Sequence, residues 1–188
     1  MQTAFERRHS KHFCWETISG PGIICAKRAI AMTVTLQIEK PDKPEIVDLI
    51  AQLDAHLKSL YPPASNHLLN IQSLMAENIT FLTAKEDERY VGCGALRLFK
   101  GEYAEVKRMY VLPSERGKRI GYQLLNELER LAALQGLDSL RLETGVYQQD
   151  ALRLYEKFGF RRTPPFGEYT DDPLSLCYEK QITKEMPS

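Results

Sequence analysis

The sequence lacks any cysteine arrangement typical of a metal site or a disulfide framework. Its four cysteines are Cys14, Cys25, Cys93 and Cys177. They form no C-x-x-C pair, and none lies near a histidine with zinc-type spacing. We therefore expect free thiols in a reducing compartment, which predicts a cytoplasmic protein, and nothing in this pattern predicts a bound metal.

Net charge and long apolar runs are missing as well. The 25 basic and 25 acidic residues balance to a formal charge of zero, so no global charge draws the chain to nucleic acid or to an anionic membrane. No apolar run approaches the roughly 20 residues that a membrane span requires. We expect neither nucleic acid nor a membrane as a partner, although a local basic loop can still hold a small anion.

The first 31 residues show no sustained hydrophobic periodicity. The apolar patch at 23–26 is too short for the core of a signal peptide, and Glu6 and Glu16 make an organellar transit peptide the weaker alternative. We predict that residues 1–31 are a disordered extension, or that the start is mis-assigned and lies at Met32. The remainder has the size of one domain with a sizeable core. We expect that domain over residues 32–183, with a short tail over 184–188.

Hydrophobic periodicity divides the domain into alternating strands and helices. Predicted strands cover residues 33–39, 80–84, 90–99, 103–112, 139–143, 160–163 and 174–182. Predicted helices begin at Pro44 and Ser65 and cover 119–135 and 148–158. This order predicts an α/β protein with helices on the faces of a mixed sheet.

The stretch VLPSERGKRIGYQLL, residues 111–125, has the layout of a phosphate-binding loop. A strand ends, a basic loop follows, and the first turn of a helix offers unpaired N–H groups and a positive dipole end to an anion. Gly117 and Gly121 allow the backbone to approach a ligand closely. The loop has neither the G-K-[ST] ending of a Walker loop nor a G-x-G-x-x-G pattern. The second glycine pair, in Gly92-Cys93-Gly94, lies within a strand and indicates close packing or a bulge.

Two blocks of the sequence, RGKRIG at 116–121 and ALRLYEKFGF at 151–160, together resemble the GCN5-related N-acetyltransferase (GNAT) family. Residues 116–121, RGKRIG, are similar to its acetyl-coenzyme A loop, [Q/R]-x-x-G-x-[G/A], except that Arg119 stands where the middle glycine is expected. Residues 151–160, ALRLYEKFGF, resemble its A-x-x-L-Y-x-x-x-G-F helix and turn. The resemblance is strong over residues 103–160 and rests on element order over 33–182.

The resemblance implies a GNAT-like, mostly antiparallel sheet of six to seven strands with helices on both faces. The strands near 103–112 and 139–143 would splay apart, and acetyl-CoA would lie in the opening as co-substrate. The implied contacts, mainly through backbone N–H groups, are Met109, Tyr110, Val111, Arg116, Gly117, Lys118, Arg119, Ile120, Gly121 and Tyr122. The guanidinium of Arg119 either adds a phosphate contact or remains a solvated surface group.

The implied reaction is direct acetyl transfer from acetyl-CoA to a primary amine, without a metal. Tyr155 matches the tyrosine commonly assigned as the general acid beside the sulfur, although a tyrosine on an apolar helix face can also simply pack. Glu105 is the leading candidate for the general base, and Glu143 is the second candidate. Both carboxylates could instead be salt-bridged, with Lys107 and Arg141 as their neighbours.

The acceptor implied by the resemblance is a small amine or an amino-acid-like molecule, as in a bacterial subgroup of small acetyltransferases. Tyr61, His67, Arg97 and the loop at 164–169 are candidates for the acceptor pocket. A protein lysine or N-terminal amine is the alternative acceptor, and a non-catalytic CoA-binding module is the alternative function. The resemblance is also compatible with a homodimer.

Overall fold

Seven strands and four helices make up the part of the chain that the computed structural model describes, residues 33–182. The predicted extension over 1–31 and the tail over 184–188 lie outside those residues. The strands are β1 (Val34–Ile38), β2 (Ile79–Glu86), β3 (Arg89–Phe99), β4 (Tyr103–Val111), β5 (Ser139–Gly145), β6 (Arg161–Arg162) and β7 (Ser175–Gln181). The helices are α1 (Pro44–Leu60), α2 (Ile71–Leu74), α3 (Ile120–Leu134) and α4 (Gln149–Phe158). None of these helices is long and apolar enough to cross a bilayer.

The strands form a single sheet in the order β1-β2-β3-β4-β5-β7-β6. Every neighbouring pair is antiparallel except β4 and β5, which are parallel. Pairing between β4 and β5 covers only residues 104–106 and 140–142, although β4 continues to Val111 and β5 to Gly145. The two strands therefore diverge toward their carboxyl ends, which confirms the predicted mixed sheet and its splay.

Two apolar cores lie on opposite faces of the sheet, because successive side chains of a strand point to opposite sides. Helices α3 and α4 cover one face, and α3 contributes five buried residues at helical spacing: Ile120, Leu124, Leu125, Leu128 and Ala132. Helix α1 covers the other face through Ile46, Leu49, Ile50 and Leu53. Each fully buried Leu or Ile contributes about 1.5–3 kcal/mol, so these stripes fix how the helices sit on the sheet.

The helix predicted to begin at Ser65 is wrong over most of its length. Ser65 ends a short 3-10 turn, and the chain becomes helical only in the four residues of α2. The amide of Asn66 donates to the carbonyl of Tyr61 at 3.0 Å, and the Asn70 side chain accepts from the N–H of Ser73 at 2.7 Å. The Asn66 bond competes with helical pairing, and the Asn70 bond caps the start of α2, so the segment between the two asparagines has an irregular conformation and the helix begins only after Asn70.

Candidate active site

A cleft opens where β4 and β5 diverge. It is walled by β4, β5, α1, the segment that follows α1, and the first turns of α4. Its lining residues include Leu53, Leu57, Tyr61, 65–68, 106–109, 143–145, Gln148 and Tyr155. The cleft therefore brings together five of the predicted site residues, namely Met109, Glu143, Tyr155, His67 and Tyr61.

A β-bulge shapes the β4 side of this cleft. The register of β3 against β4 shifts between Cys93 and Ala95, so that Arg108 and Met109 together face Gly94. Arg108 takes a left-handed conformation with φ 56°. A Cβ on Gly92 would lie 2.9 Å from the backbone oxygen of Tyr110, and one on Gly94 would lie 2.7 Å from the Met109 sulfur, so both glycines allow close packing at the bulge. This confirms the packing role predicted for the glycine pair of β3, and the bulge bends the end of β4.

Arg108 fastens the bulge to the opposite wall of the cleft. Its guanidinium donates to the carboxylate of Asp54 on α1 and to the carbonyl of Leu69. The side chain is 4% exposed, and among residues 33–182 its Nε–H has no hydrogen-bond partner. No local sequence signal identifies this contact, because Asp54 and Arg108 are 54 positions apart.

Glu143 and Tyr155 both line the cleft, and the surroundings raise the pKa of each. Burial raises the pKa of the Tyr155 hydroxyl, and the negative charge of Glu143 raises it further. Burial also raises the pKa of Glu143, opposed by a 2.6 Å hydrogen bond from Ser175 and by the charge of Lys107. The tyrosine thus stays protonated as a donor, while the carboxylate is disposed to accept a proton.

Glu105 lies on β4 beside the cleft but, in the described part of the chain, is not among its lining residues. It is 1% exposed, accepts a hydrogen bond from the hydroxyl of Tyr169, and lies 3.4 Å from the ammonium of Lys107. Lys107 also donates to the Tyr169 hydroxyl, so the three side chains form a closed triad. Burial and the charge of Glu105 raise the pKa of Tyr169. The Lys107 neighbour expected for Glu105 is therefore present, whereas Arg141 pairs with Glu179 at 3.1 Å.

The loop between β4 and α3 has the backbone of an anion site. Gly117 has φ 83°, and Arg119, at the position of the middle glycine, is left-handed at φ 65° and ψ 14°. The first N–H groups of α3 have no intrahelical partners, and within residues 33–182 no side chain caps them. A Cβ on Gly121 would lie 2.9 Å from the Leu154 side chain, which explains a small residue there as a requirement of α3–α4 packing.

An ionic network supports this loop from β2 and β3. The ammonium of Lys118 lies 2.5 Å from Glu115 and 3.0 Å from Glu86. Arg89 reaches the same two carboxylates at 2.7 Å and 3.2 Å. The hydrogen bonds from Lys118 and Arg89 lower the pKa of Glu115 to about 2. The Lys118 side chain is thus committed to the scaffold, which leaves its backbone N–H as the group available to a cofactor.

The other predicted cofactor residues surround the same loop. Arg116 donates from Nε to the carbonyl of Val111 at 3.4 Å and lies 3.8 Å from the carboxylate of Asp150. Tyr122 is 39% exposed, and the guanidinium of Arg119 lies 6.0 Å from the centre of its ring. Both side chains therefore reach the surface beside the start of α3.

The end of β4, Met109 to Val111, pairs with β3 on one side and extends past its pairing with β5 on the other. The side chain of Tyr110 is buried in the core beneath α1. The side chain of Ile120, the first residue of α3, is buried in the core on the other face of the sheet. Only the backbone groups of these two residues are therefore placed for a ligand, as expected for a strand edge and a helix start.

The acceptor side of the cleft contains two of its three predicted side chains. His67 is exposed, and its ring lies 5.1 Å edge-on from that of Tyr169. The Tyr61 ring is pressed against β5, because a Cβ on Gly145 would lie 2.2 Å from it. Arg97, on β3, is not among the described lining residues.

Known proteins match both the sequence and this geometry. The model of the acetyltransferase (GNAT) family matches residues 43–160. An IAA acetyltransferase of Azospirillum brasilense is 48% identical over 150 residues, which cover 79% of this chain and 98% of that protein. The uncharacterized N-acetyltransferase YsnE of Bacillus subtilis is 34% identical over 139 residues, covering 71% of this chain and 92% of YsnE.

Solved structures agree. An acyl-CoA N-acyltransferase structure from Klebsiella pneumoniae superimposes with a TM-score of 0.69 at 33% identity, covering 81% of this chain and 99% of that one. The PaiA N-acetyltransferase of Thermoplasma acidophilum, solved with coenzyme A, has a TM-score of 0.62 at 20% identity, covering 80% and 99%. Family model, sequence relatives and fold lead to one assignment: the protein is an acyltransferase and belongs to the GNAT acetyltransferase family.

Proposed function

We propose that the protein transfers an acetyl group directly from acetyl-CoA to the primary amine of a small molecule or an amino-acid-like acceptor. The observation that carries this proposal is that Tyr155 and Glu143 line the same cleft, which lies between the diverging ends of β4 and β5. PaiA was solved with coenzyme A, and a GNAT acetyltransferase of Elizabethkingia anophelis with acetyl-CoA. Those complexes support acetyl-CoA as the donor.

The donor half of the site relies on backbone groups. The uncapped start of α3 and the left-handed residues Gly117 and Arg119 suit a pyrophosphate, which accepts several N–H bonds at once. The edge of β4 beyond Val106 continues past its pairing with β5, which suits the amide groups of a pantetheine arm. The backbone therefore fits the donor without relying on particular side chains.

The acceptor half needs a base, because an alkylamine with a pKa of about 10 is protonated near neutral pH. We assign this role to Glu143 rather than Glu105, since Glu143 lines the cleft whereas Glu105 is enclosed by Lys107 and Tyr169. The ammonium gives one proton to Glu143, the freed amine nitrogen forms a bond to the acetyl carbon, and the carbon–sulfur bond breaks as Tyr155 gives its proton to the departing sulfur. The nitrogen loses its second proton as the amide forms, and that proton restores Tyr155, while Glu143 releases its proton to solvent.

The first test measures CoA release from acetyl-CoA with a panel of small amines, amino acids, IAA and a lysine peptide. The proposal predicts release with small amines, and mass spectrometry of the product should show one added acetyl group. A faster reaction with the peptide would favour the alternative of protein acetylation. Acetyl-CoA binding without release for any acceptor would favour a non-catalytic module.

Substitutions test the two assigned roles. Tyr155→Phe and Glu143→Gln should each lower kcat by about 10²–10⁴-fold with little change in the acetyl-CoA Kd. Tyr147→Phe is the matched control, because the Tyr147 side chain is 56% exposed and stacks on Tyr61, while its hydrogen bond to Tyr61 comes from the backbone N–H, which the substitution keeps. Full kcat in Tyr155→Phe at saturating substrate would refute the acid role. If Glu105→Gln and Glu143→Gln change the pH–rate profile equally, the assignment of Glu143 rather than Glu105 as the base is refuted.

A further inference from the structure

Some charged side chains around the cleft have an ion-pair partner and others do not. Lys107 is paired with Glu105 at 3.4 Å, and Arg108 is paired with Asp54. Glu143 accepts a hydrogen bond from the Ser175 hydroxyl. No lysine, arginine or histidine nitrogen in the described range 33–182 lies within 4.0 Å of it. Glu143 is thus the carboxylate of the cleft that has no cationic partner.

The surroundings of Glu143 add no further positive charge at contact distance. The polar and titratable groups around it come from β4, β7, α4, the 61–70 segment and the loop before β7, namely Lys107, Glu105, Ser175, Cys177, Tyr155, Tyr61, His67 and Tyr169. Among these, Lys107 carries the one permanent positive charge against two carboxylates. Glu105, Lys107 and Glu143 together therefore carry one negative charge in excess.

Even partial burial of a carboxylate, as at the half-buried Glu143, carries a cost that a neighbouring cation offsets. We infer that the acceptor's own ammonium is the missing partner of Glu143, and that the enzyme selects primary amines that carry no carboxylate. This inference rests on the proposed N-acetyltransferase function and decides between its two acceptor classes.

The selection against carboxylates follows from distance. In an amino acid the carboxylate is attached to the carbon that bears the amine, so an amine at Glu143 brings a second anion within a few ångströms. Lys107 and Arg108 are the nearby cations, and both are already held by carboxylates of the protein. An uncharged acceptor body introduces no such repulsion.

The test compares acceptors that differ in charge and little else. Phenylalanine is measured against phenylalaninamide and 2-phenylethylamine, and leucine against leucinamide and 3-methylbutylamine. The amide nitrogen replaces one oxygen at nearly equal size. The amine of an amino acid amide is less basic than that of the amino acid, whereas the amine of the decarboxylated compound is more basic. A preference for both therefore cannot arise from basicity.

We expect kcat/KM for both uncharged forms to exceed that of the amino acid by at least about tenfold. The measurement is made at about pH 8.5, where an ordinary imidazole is neutral. Equal or faster turnover of the amino acids would overturn the inference and leave the proposed function standing. Absence of transfer to every amine would overturn both.

Substitutions test the charge argument through the ratio of kcat/KM for an uncharged acceptor to kcat/KM for the amino acid, both measured on one preparation. A partial loss of folded protein lowers both values equally and therefore cancels from this ratio. Glu105→Gln removes one neighbouring anion and releases Lys107, and should reduce the preference by about threefold or more. Glu102→Gln removes an exposed charge from the turn before β4 and should leave the ratio unchanged. A ratio that responds equally to both substitutions would overturn the electrostatic origin of the selectivity.

Discussion

Arg119 has a backbone conformation that glycine adopts freely and arginine does not. Its φ of 65° and ψ of 14° lie in the left-handed region, which costs a residue with a Cβ about 1–2 kcal/mol. Arg119→Gly removes this cost but adds conformational entropy to the unfolded chain. We expect a net gain of about 0.5–1 kcal/mol in the free energy of unfolding, which raises Tm by about 1–4 °C in a chain of this length.

Arg119→Ala is the matched variant, because alanine keeps the Cβ and its strain but loses the guanidinium. Thermal unfolding of the two variants isolates the backbone effect, and calorimetric titration with acetyl-CoA isolates the side chain. If the guanidinium binds a phosphate, both variants lose about tenfold in affinity. If it is a solvated surface group, neither variant does.

The stability comparison is the decisive one. An Arg119→Gly protein no more stable than Arg119→Ala would refute the left-handed assignment. It would also remove the physical reason why the family signature has glycine at this position.

Two further perturbations probe the acceptor wall and the loop support. Gly145→Ala places a Cβ 2.2 Å from the Tyr61 ring. We therefore expect the free energy of unfolding, measured in urea, to fall by about 1–3 kcal/mol, and kcat/KM to fall as well. A variant as stable as the parent would contradict this packing. Glu115 has its pKa lowered from 4.5 to about 2, so its stabilising effect is complete above pH 4.5 and is lost as the pH falls toward 2. The stability difference between the parent and Glu115→Gln should therefore disappear over that interval, and a difference independent of pH would contradict the role of the network.

Elements with strong hydrophobic periodicity were predictable from the sequence. Helix α3 and the β2–β3 hairpin follow this pattern and were predicted to within a few residues, because burial of one face governs both. The segment after α1 was not predictable, since its leucines have helical spacing while Asn66 and Asn70 bind nearby backbone groups. Local hydrogen bonds outweighed the apolar pattern there.

The residues of the candidate site also differ in how directly the sequence indicates them. The loop and the tyrosine helix are contiguous motifs, so the sequence indicates their residues directly. The support of Lys118 by Glu86, 32 positions away, and of Arg108 by Asp54 depends on strand order and carries no local signal. The choice between Glu105 and Glu143 is also non-local, because Tyr169 and Ser175, the residues that distinguish them, come from later parts of the chain.

Donor and acceptor recognition therefore depend on different properties of the chain. Under the proposed function, acetyl-CoA is held by a backbone conformation, so the loop tolerates Arg119 in place of glycine and leaves the Lys118 side chain to bind Glu86 and Glu115. The inferred selection of the acceptor depends instead on side-chain charges, because Glu143 has no cationic partner among the described residues whereas Glu105 is paired with Lys107. A change at Glu105 or Lys107 should consequently alter acceptor preference while leaving donor affinity unchanged, and this separation explains why a donor-binding motif identifies the family without identifying the amine.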